Sequence, residues 1–176
     1  MRFISIIIAF VASSLTMNAQ IISVKTDALQ DALLTPNVGV DLVVGERTSV
    51  GLSVFGNYEP YWMGIKMLGV TPELRYWLGR PMSKFFVGVS GTAAMYDMTV
   101  GSKVYKGDAF CGGFTFGYDF YLNQHWSMEV HGGLAAAYYT HHRYYVGDTY
   151  TSKKHNEHGY SLIPYKVGLS FIYIIK

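Results

Sequence analysis

Charge is scarce in this sequence: Asp, Glu, Lys and Arg make up 15% of 176 residues, and the formal net charge is only +2. That excludes a basic surface of the kind that binds nucleic acid through its phosphates, so no nucleic-acid partner is expected. Cysteine occurs once, at Cys111, which excludes an internal disulfide framework and leaves the thiol to fill a small interior position. After the N-terminal segment no apolar run reaches the roughly 18 residues of a membrane-spanning helix. A glycine-rich phosphate loop is also missing. The glycines are scattered through alternating stretches, where they suit a crowded interior. What the chain has instead is apolar and aromatic character: Phe, Trp and Tyr reach 16%, and the mean hydropathy is +0.16.

The N-terminus, MRFISIIIAFVASSLTMNAQ, places Arg2 before an apolar run from Phe3 to Val11, followed by small and polar residues up to Ala19 and Gln20. This tripartite form predicts a secretory signal peptide over residues 1–19, cleaved near Ala19, because the run is too short to span a membrane as a helix. Residues 20–176 are then a single domain of an exported protein.

From about Val24 onward the pattern is one of alternating stretches of roughly ten residues closed by turns, with little sign of helix. From Trp126 to Tyr138 the even positions are Trp126, Met128, Val130, Gly132, Leu134, Ala136 and Tyr138. The odd ones are Ser127, Glu129, His131, Gly133, Ala135 and Ala137. Successive side chains of a strand point to opposite faces, so one face is apolar and the other small and polar. The same split sets Phe110, Phe114, Phe116, Tyr118 and Phe120 against Cys111, Gly113, Thr115, Gly117 and Asp119. It sets Leu68, Val70, Leu74, Tyr76 and Leu78 against Thr71, Glu73, Arg75 and Trp77, and Val38, Val40, Leu42 and Val44 against Gly39 and Asp41. In the last stretch Ile163, Tyr165, Val167, Leu169, Phe171, Tyr173 and Ile175 oppose Lys166, Gly168 and Ser170.

Side-chain size decides which face is inside. The bulky aromatics share the apolar face, and the opposite face is small with interspersed charges, as the lumen of a narrow closed barrel requires. A soluble barrel would need a charged outer face, and charges are too few to cover one. Short turns at Gly45–Arg47, Gly79–Lys84 and Leu122–His125 alternate with longer polar links at Glu59–Lys66, Gly101–Gly107 and Gly147–Gly159. With a first strand near Ile22–Leu29, this predicts an all-β fold: one antiparallel up-and-down transmembrane β-barrel of about eight strands, with short turns in the periplasm and long links outside. Aromatic residues sort by strand end. Tyr76, Phe85, Phe120, Trp126 and Tyr173 fall near the short turns, and Tyr58, Tyr61, Trp62, Tyr138, Tyr144 and Tyr145 near the long links, which predicts two interfacial girdles. The expected location is the outer membrane of a Gram-negative bacterium, with its lipid as the surrounding partner.

The ending KVGLSFIYIIK carries Lys166, Gly168, Phe171 and Tyr173 in a polar, glycine, aromatic, aromatic order. This resembles the C-terminal signal read by the barrel-assembly machinery, here extended by Ile174, Ile175 and Lys176. The stretches LLTPNVGVDL, TPELRYWL and GLSFIYIIK, with PELRYW and the ending as the more specific parts, together resemble the small outer-membrane barrel proteins of Bacteroidetes known as domain-of-unknown-function family 3575. The resemblance covers nearly the whole mature chain. It implies an outer-membrane barrel, and a role near surface fibres with fimbrial or other surface proteins as partners. It brings no catalytic residues.

Three constellations carry candidate chemistry. Asp41, Glu73, Arg75, Asp119, Glu129, His131 and Lys166 share the inward register; they predict a plug of mutually paired charges, with Arg75 as hub and Glu73 as its partner, rather than an ion path. His141, His142, His155 and His158 gather towards the last long link, where a solvated loop is favoured over a metal site. Ser152, His155 and Glu157 offer the residue types of a lipid-modifying enzyme, but a triad is recognised by geometry and not by composition. The reading is a non-enzymatic barrel without cofactor or metal, serving as a surface anchor, scaffold or adhesion component. A lipid-acylating or deacylating enzyme and a narrow channel are the alternatives.

Overall fold

A computed structural model describes residues 21–58, 64–100, 103–145 and 157–175. Eight strands follow one another: β1 (Ile22–Asp27), β2 (Asn37–Val43), β3 (Thr48–Tyr58), β4 (Ile65–Trp77), β5 (Lys84–Val100), β6 (Lys103–Tyr121), β7 (Trp126–Tyr145) and β8 (Glu157–Ile175). Each pairs antiparallel with its neighbour in sequence, and β8 returns to β1 from Ile22↔Ile175 to Asp27↔Ser170, closing the barrel. The chain is thus the all-β up-and-down barrel that the alternation predicts. Following paired residues around the wall leads from Ile22 through Leu42, Val50, Leu74, Val89, Phe114 and Leu134 to Pro164, not to Ile175. That stagger tilts the strands by roughly 40°.

The apolar face points outward. Val38, Val40, Leu52, Leu68, Leu74, Phe110, Phe114, Phe116 and Leu134 are all exposed, while Asp41, Glu73, Arg75, Asp119 and Glu129 on the alternate positions are buried. Cys111 is half-buried on the inward face of β6. The inward face is not uniformly small and polar. At the short-turn end Trp77, Met82, Phe86, Ile172 and Ile174 form a buried apolar cluster, with Trp77 and Phe86 ring centroids 5.1 Å apart. This cluster seals the barrel at the end where β1 begins and β8 ends. The indole N–H of Trp77 donates to Ser49 Oγ at 2.9 Å, so the ring is buried without leaving its one donor unpaired.

The structure corrects four expectations. The first strand stops at Asp27, not Leu29, and a short helix, α1 (Ala28–Ala32), follows. Asp27 caps it, its Oδ1 accepting from the backbone N–H of Leu29 at 2.9 Å and of Gln30 at 3.2 Å. Second, Gly101–Gly107 is mostly strand: β6 begins at Lys103 and pairs Val104↔Thr99 and Lys106↔Asp97. Likewise Lys66 lies in β4, and β8 starts at Glu157. Backbone pairing needs no apolar side chains, so these strands continue where the outer face turns polar.

The third correction concerns β8. Its pairing with β7 runs His131↔Gly168 but Gly133↔Tyr165, a β-bulge that inserts one extra residue in β8. Lys166 sits in it with φ 51°. Beyond the bulge the faces exchange: Tyr165 is buried and Ile163 half-buried in the inward register, and Pro164, Leu162 and Tyr160 are exposed outward. Ile163 and Tyr165 are therefore not on the face that carries Val167, Phe171, Tyr173 and Ile175. Fourth, β1 and β2 have six and seven residues, whereas β5 to β8 have 17 to 20. The wall is lower between β8 and β3, and α1 with its following turn lies in that notch. Leu29, Leu33 and Leu34 are exposed there.

Candidate functional site

The lumen above the apolar seal is filled by charge. Arg75, on β4, is 1% exposed. Its Nη1 donates to Glu129 Oε2 at 2.7 Å, and its Nη2 to Glu73 Oε2 at 2.8 Å and Glu129 Oε1 at 3.2 Å. The planar fork thus holds one carboxylate from its own strand and one from β7 across the lumen. Below it, the guanidinium lies 4.4 Å from the centre of the Phe86 ring. Asp41 Oδ2 is 3.8 Å from Nη1 and takes its close contact, 2.8 Å, from Lys25 Nζ. Glu73 is shared further: Lys166 Nζ donates to Oε2 at 2.7 Å and Thr115 Oγ1 to Oε1 at 2.7 Å.

His131 extends the cluster towards α1. Its Nδ1 is 3.1 Å from Glu129 Oε1, and its Nε2 is 3.2 Å from Asp27 Oδ2, the carboxylate that caps the helix. A continuous chain of polar contacts therefore joins Arg75 to the first turn of α1. Asp119 is buried beside Glu129, its cross-strand neighbour, and accepts from Ser127 Oγ at 3.0 Å. Among the described residues it makes no ion pair, so it borders the Arg75 cluster without belonging to it. Above the charges lies a layer of hydroxyls: Thr71 and Thr92 are 2.6 Å apart, and Tyr165 OH is 2.7 Å from Thr92 and 3.2 Å from Ser90.

Six of the seven charged residues singled out from the sequence (Asp41, Glu73, Arg75, Glu129, His131 and Lys166) meet in one cluster, and Asp119 lies at its edge. Lys25 and Asp27 are further members that the sequence reading left out. The signal was present: in β1 Ser23, Lys25 and Asp27 alternate with Ile22, Val24 and Thr26. Lys166 reaches the lumen from the bulge, and Gly168 sits opposite His131. A Cβ at Gly168 would run into the Asp27 carboxylate and come 2.8 Å from His131 Nε2. Glycine is needed there for space.

Phe171 and Tyr173 face outward at the end of β8, and Tyr173 packs edge-on against Trp126 at 5.0 Å. Tyr76, Phe85 and Phe120 are exposed at the same end, where Tyr118 links Phe85 and Phe120 at 4.6 Å each. At the other end Tyr138 packs against Tyr160 at 4.8 Å, and Tyr58 lies 4.4 Å from Lys66 Nζ. Tyr160 joins this set only because the bulge turns it outward. Residues 1–20, Tyr61, Trp62, Ser152, His155 and Lys176 lie outside the described residues. So do the side chains of His141, His142, Tyr144, Tyr145 and Glu157, although their backbones belong to β7 and β8. His158 is exposed near the start of β8.

The cluster joins side chains from β1, β2, β4, β7 and β8 across the lumen. No curated protein and no solved structure matches the chain. The family described as "Protein of unknown function (DUF3575)" matches residues 5–175, nearly the whole length, and the chain belongs to that family.

Proposed function

We propose that the protein is a non-enzymatic barrel of the outer membrane, a plugged anchor or scaffold that presents its long links outside the cell to other surface proteins. The observation that supports this best is the outward belt. From Leu68 along β4 and on to Leu78, the exposed side chains Leu68, Val70, Pro72, Leu74, Tyr76 and Leu78 are all apolar or aromatic. At about 3.3 Å per residue and a tilt near 40°, that stretch rises about 25 Å along the barrel axis, the height of the apolar band of membrane barrels. Above it the outward register changes to Asp97, Lys106 and Asp108. Aromatic rings border the belt on both sides, as interfacial girdles do. With paired charges spanning the lumen, the links are the part free to meet other proteins, and the family resemblance suggests fimbrial or other surface proteins for that role. Membrane insertion would use β8 as the closing strand, with Lys166, Gly168, Phe171 and Tyr173 as the residues read by the assembly machinery.

The test is topological. In a Cys111→Ser background, single cysteines placed at residues 147–159 should react with a membrane-impermeant maleimide on intact cells. Asn123→Cys should react only after the envelope is permeabilised. The reverse pattern would invert the orientation, and recovery of the protein in the soluble periplasmic fraction would refute the membrane reading.

A further inference from the structure

Between the Arg75 cluster and α1 the lumen encloses a cavity of about 190 Å³. Its charged lining is one-sided. Lys25, Arg75 and Lys166 face it, together with His131, and Asp27 is the one carboxylate that does. Asp41, Glu73 and Glu129, which pair with these cations, lie outside the lining, so the cluster turns its cationic side to the cavity. The hydroxyls of Thr71, Thr92 and Tyr165, hydrogen-bonded to one another, also line it and can turn a donor towards a bound group. Two further observations point to an acceptor that the chain itself does not supply. The Arg75 Nε, on a side chain 99% buried, has no hydrogen-bond partner among the described residues. A buried guanidinium N–H left unpaired is costly. Lys166 is held in the left-handed region, φ 51°, which non-glycine residues rarely adopt, and such strain concentrates at functional sites.

We propose that this cavity binds a carboxylate or phosphate group. One ammonium donor of Lys166 is committed to Glu73, and the others remain for an anion, which the hydroxyls would complete. Two sources of such a group fit the architecture. A free ion could enter from the long-link end. An acyl-chain amphiphile could enter sideways, because α1 separates the cavity from the outside: Gln30 lines the cavity, and Leu29, Leu33 and Leu34 are exposed on the outer surface. Leu162 is exposed on β8, across the notch. The sideways route rests on the membrane reading proposed above. The anion site does not, and in detergent the two fail separately.

The test uses the full chain in a neutral maltoside detergent, read by the temperature midpoint of unfolding at constant ionic strength. The probes are sodium phosphate, sodium acetate, dodecyl phosphate and 1-dodecanol. A ligand that binds the folded state raises the midpoint in proportion to the logarithm of its concentration over Kd. Phosphate, acetate or dodecyl phosphate should do so, and dodecanol should not. A shift with phosphate or acetate alone identifies a free ion as sufficient, and a shift only with dodecyl phosphate identifies the amphiphile. Lys166→Gln should abolish the increment, and Lys106→Gln, on the outer surface, should keep it. If Lys166→Gln does not fold, Thr92→Val combined with Tyr165→Phe should weaken apparent binding by about tenfold or more, since each hydrogen bond lost to a charged group is worth about that factor. No shift with any anion, an equal shift with dodecanol, or a shift unchanged in the lumen variants would overturn the proposal.

Discussion

At the scale of residues, the lumen depends on mutual satisfaction. Glu73 and Glu129 are tolerated inside because Arg75 lies between them, and removing one partner of a buried set strands the others. Arg75→Ala should therefore destabilise the barrel by about 3–5 kcal/mol. The heat-induced change in gel mobility should then occur at a lower temperature; an unchanged midpoint would mean that water already solvates the carboxylates. Gly168 presents a different constraint, one of space. A methyl group there meets the carboxylate of Asp27, which is itself fixed as helix cap and partner of His131. Gly168→Ala should be destabilising, and Asp27→Ala should cost about 1 kcal/mol for the lost cap. Because the two groups collide, the double variant should be less damaged than the sum of the single ones. Strict additivity of the unfolding midpoints would show that the strand moves to admit the methyl group.

At the scale of elements, β8 carries three burdens: it closes the barrel on β1, delivers Lys166 through its bulge, and places Phe171 and Tyr173 outward at the end. If these rings belong to the assembly signal, Phe171→Ala with Tyr173→Ala should lower the amount of folded protein in the outer membrane and leave periplasmic degradation products. Full levels of the double variant would remove both rings from the signal. The alternation that exposes this strand in the sequence also conceals its bulge. Ile163 and Tyr165 continue the apolar register of Val167 and Leu169 without a break, and only the pairing with β7 shows that the faces exchange. The helix α1 was legible in principle, since Asp27 precedes ALQDA as a capping residue should, but five residues give too little periodicity to outweigh the strand pattern. The apolar seal left a clearer trace. The run from Phe171 to Ile175 is apolar at every position, which indicates burial on both faces, and Ile172 and Ile174 are indeed packed against Trp77 and Phe86. The charge cluster was the most readable part of the site, because buried charges at period two admit few explanations. Its link to α1 was not readable, because it depends on where β1 ends.

At the scale of the whole molecule, the two ends of the barrel differ in kind. The end with short turns is closed by the Trp77–Phe86–Ile172 cluster, and immediately above it the charges span the lumen from β1 and β2 across to β7. An ion crossing the barrel would have to pass both layers, one packed with bulky apolar side chains and one spanned by ion pairs. In a planar bilayer the protein should therefore show no steady conductance. Removing the charged layer alone, with Arg75→Ala, should not open it, because the apolar seal remains beneath. Removing the seal alone, with Trp77→Ala and Phe86→Ala, should not open it either while the ion pairs stay intact. Only the combination should give measurable current, provided that the variant still inserts, which its heat-modifiable migration reports. Steady current through the unaltered protein would mean that the lumen is hydrated from end to end, and that the channel reading, not the scaffold, describes what the barrel does.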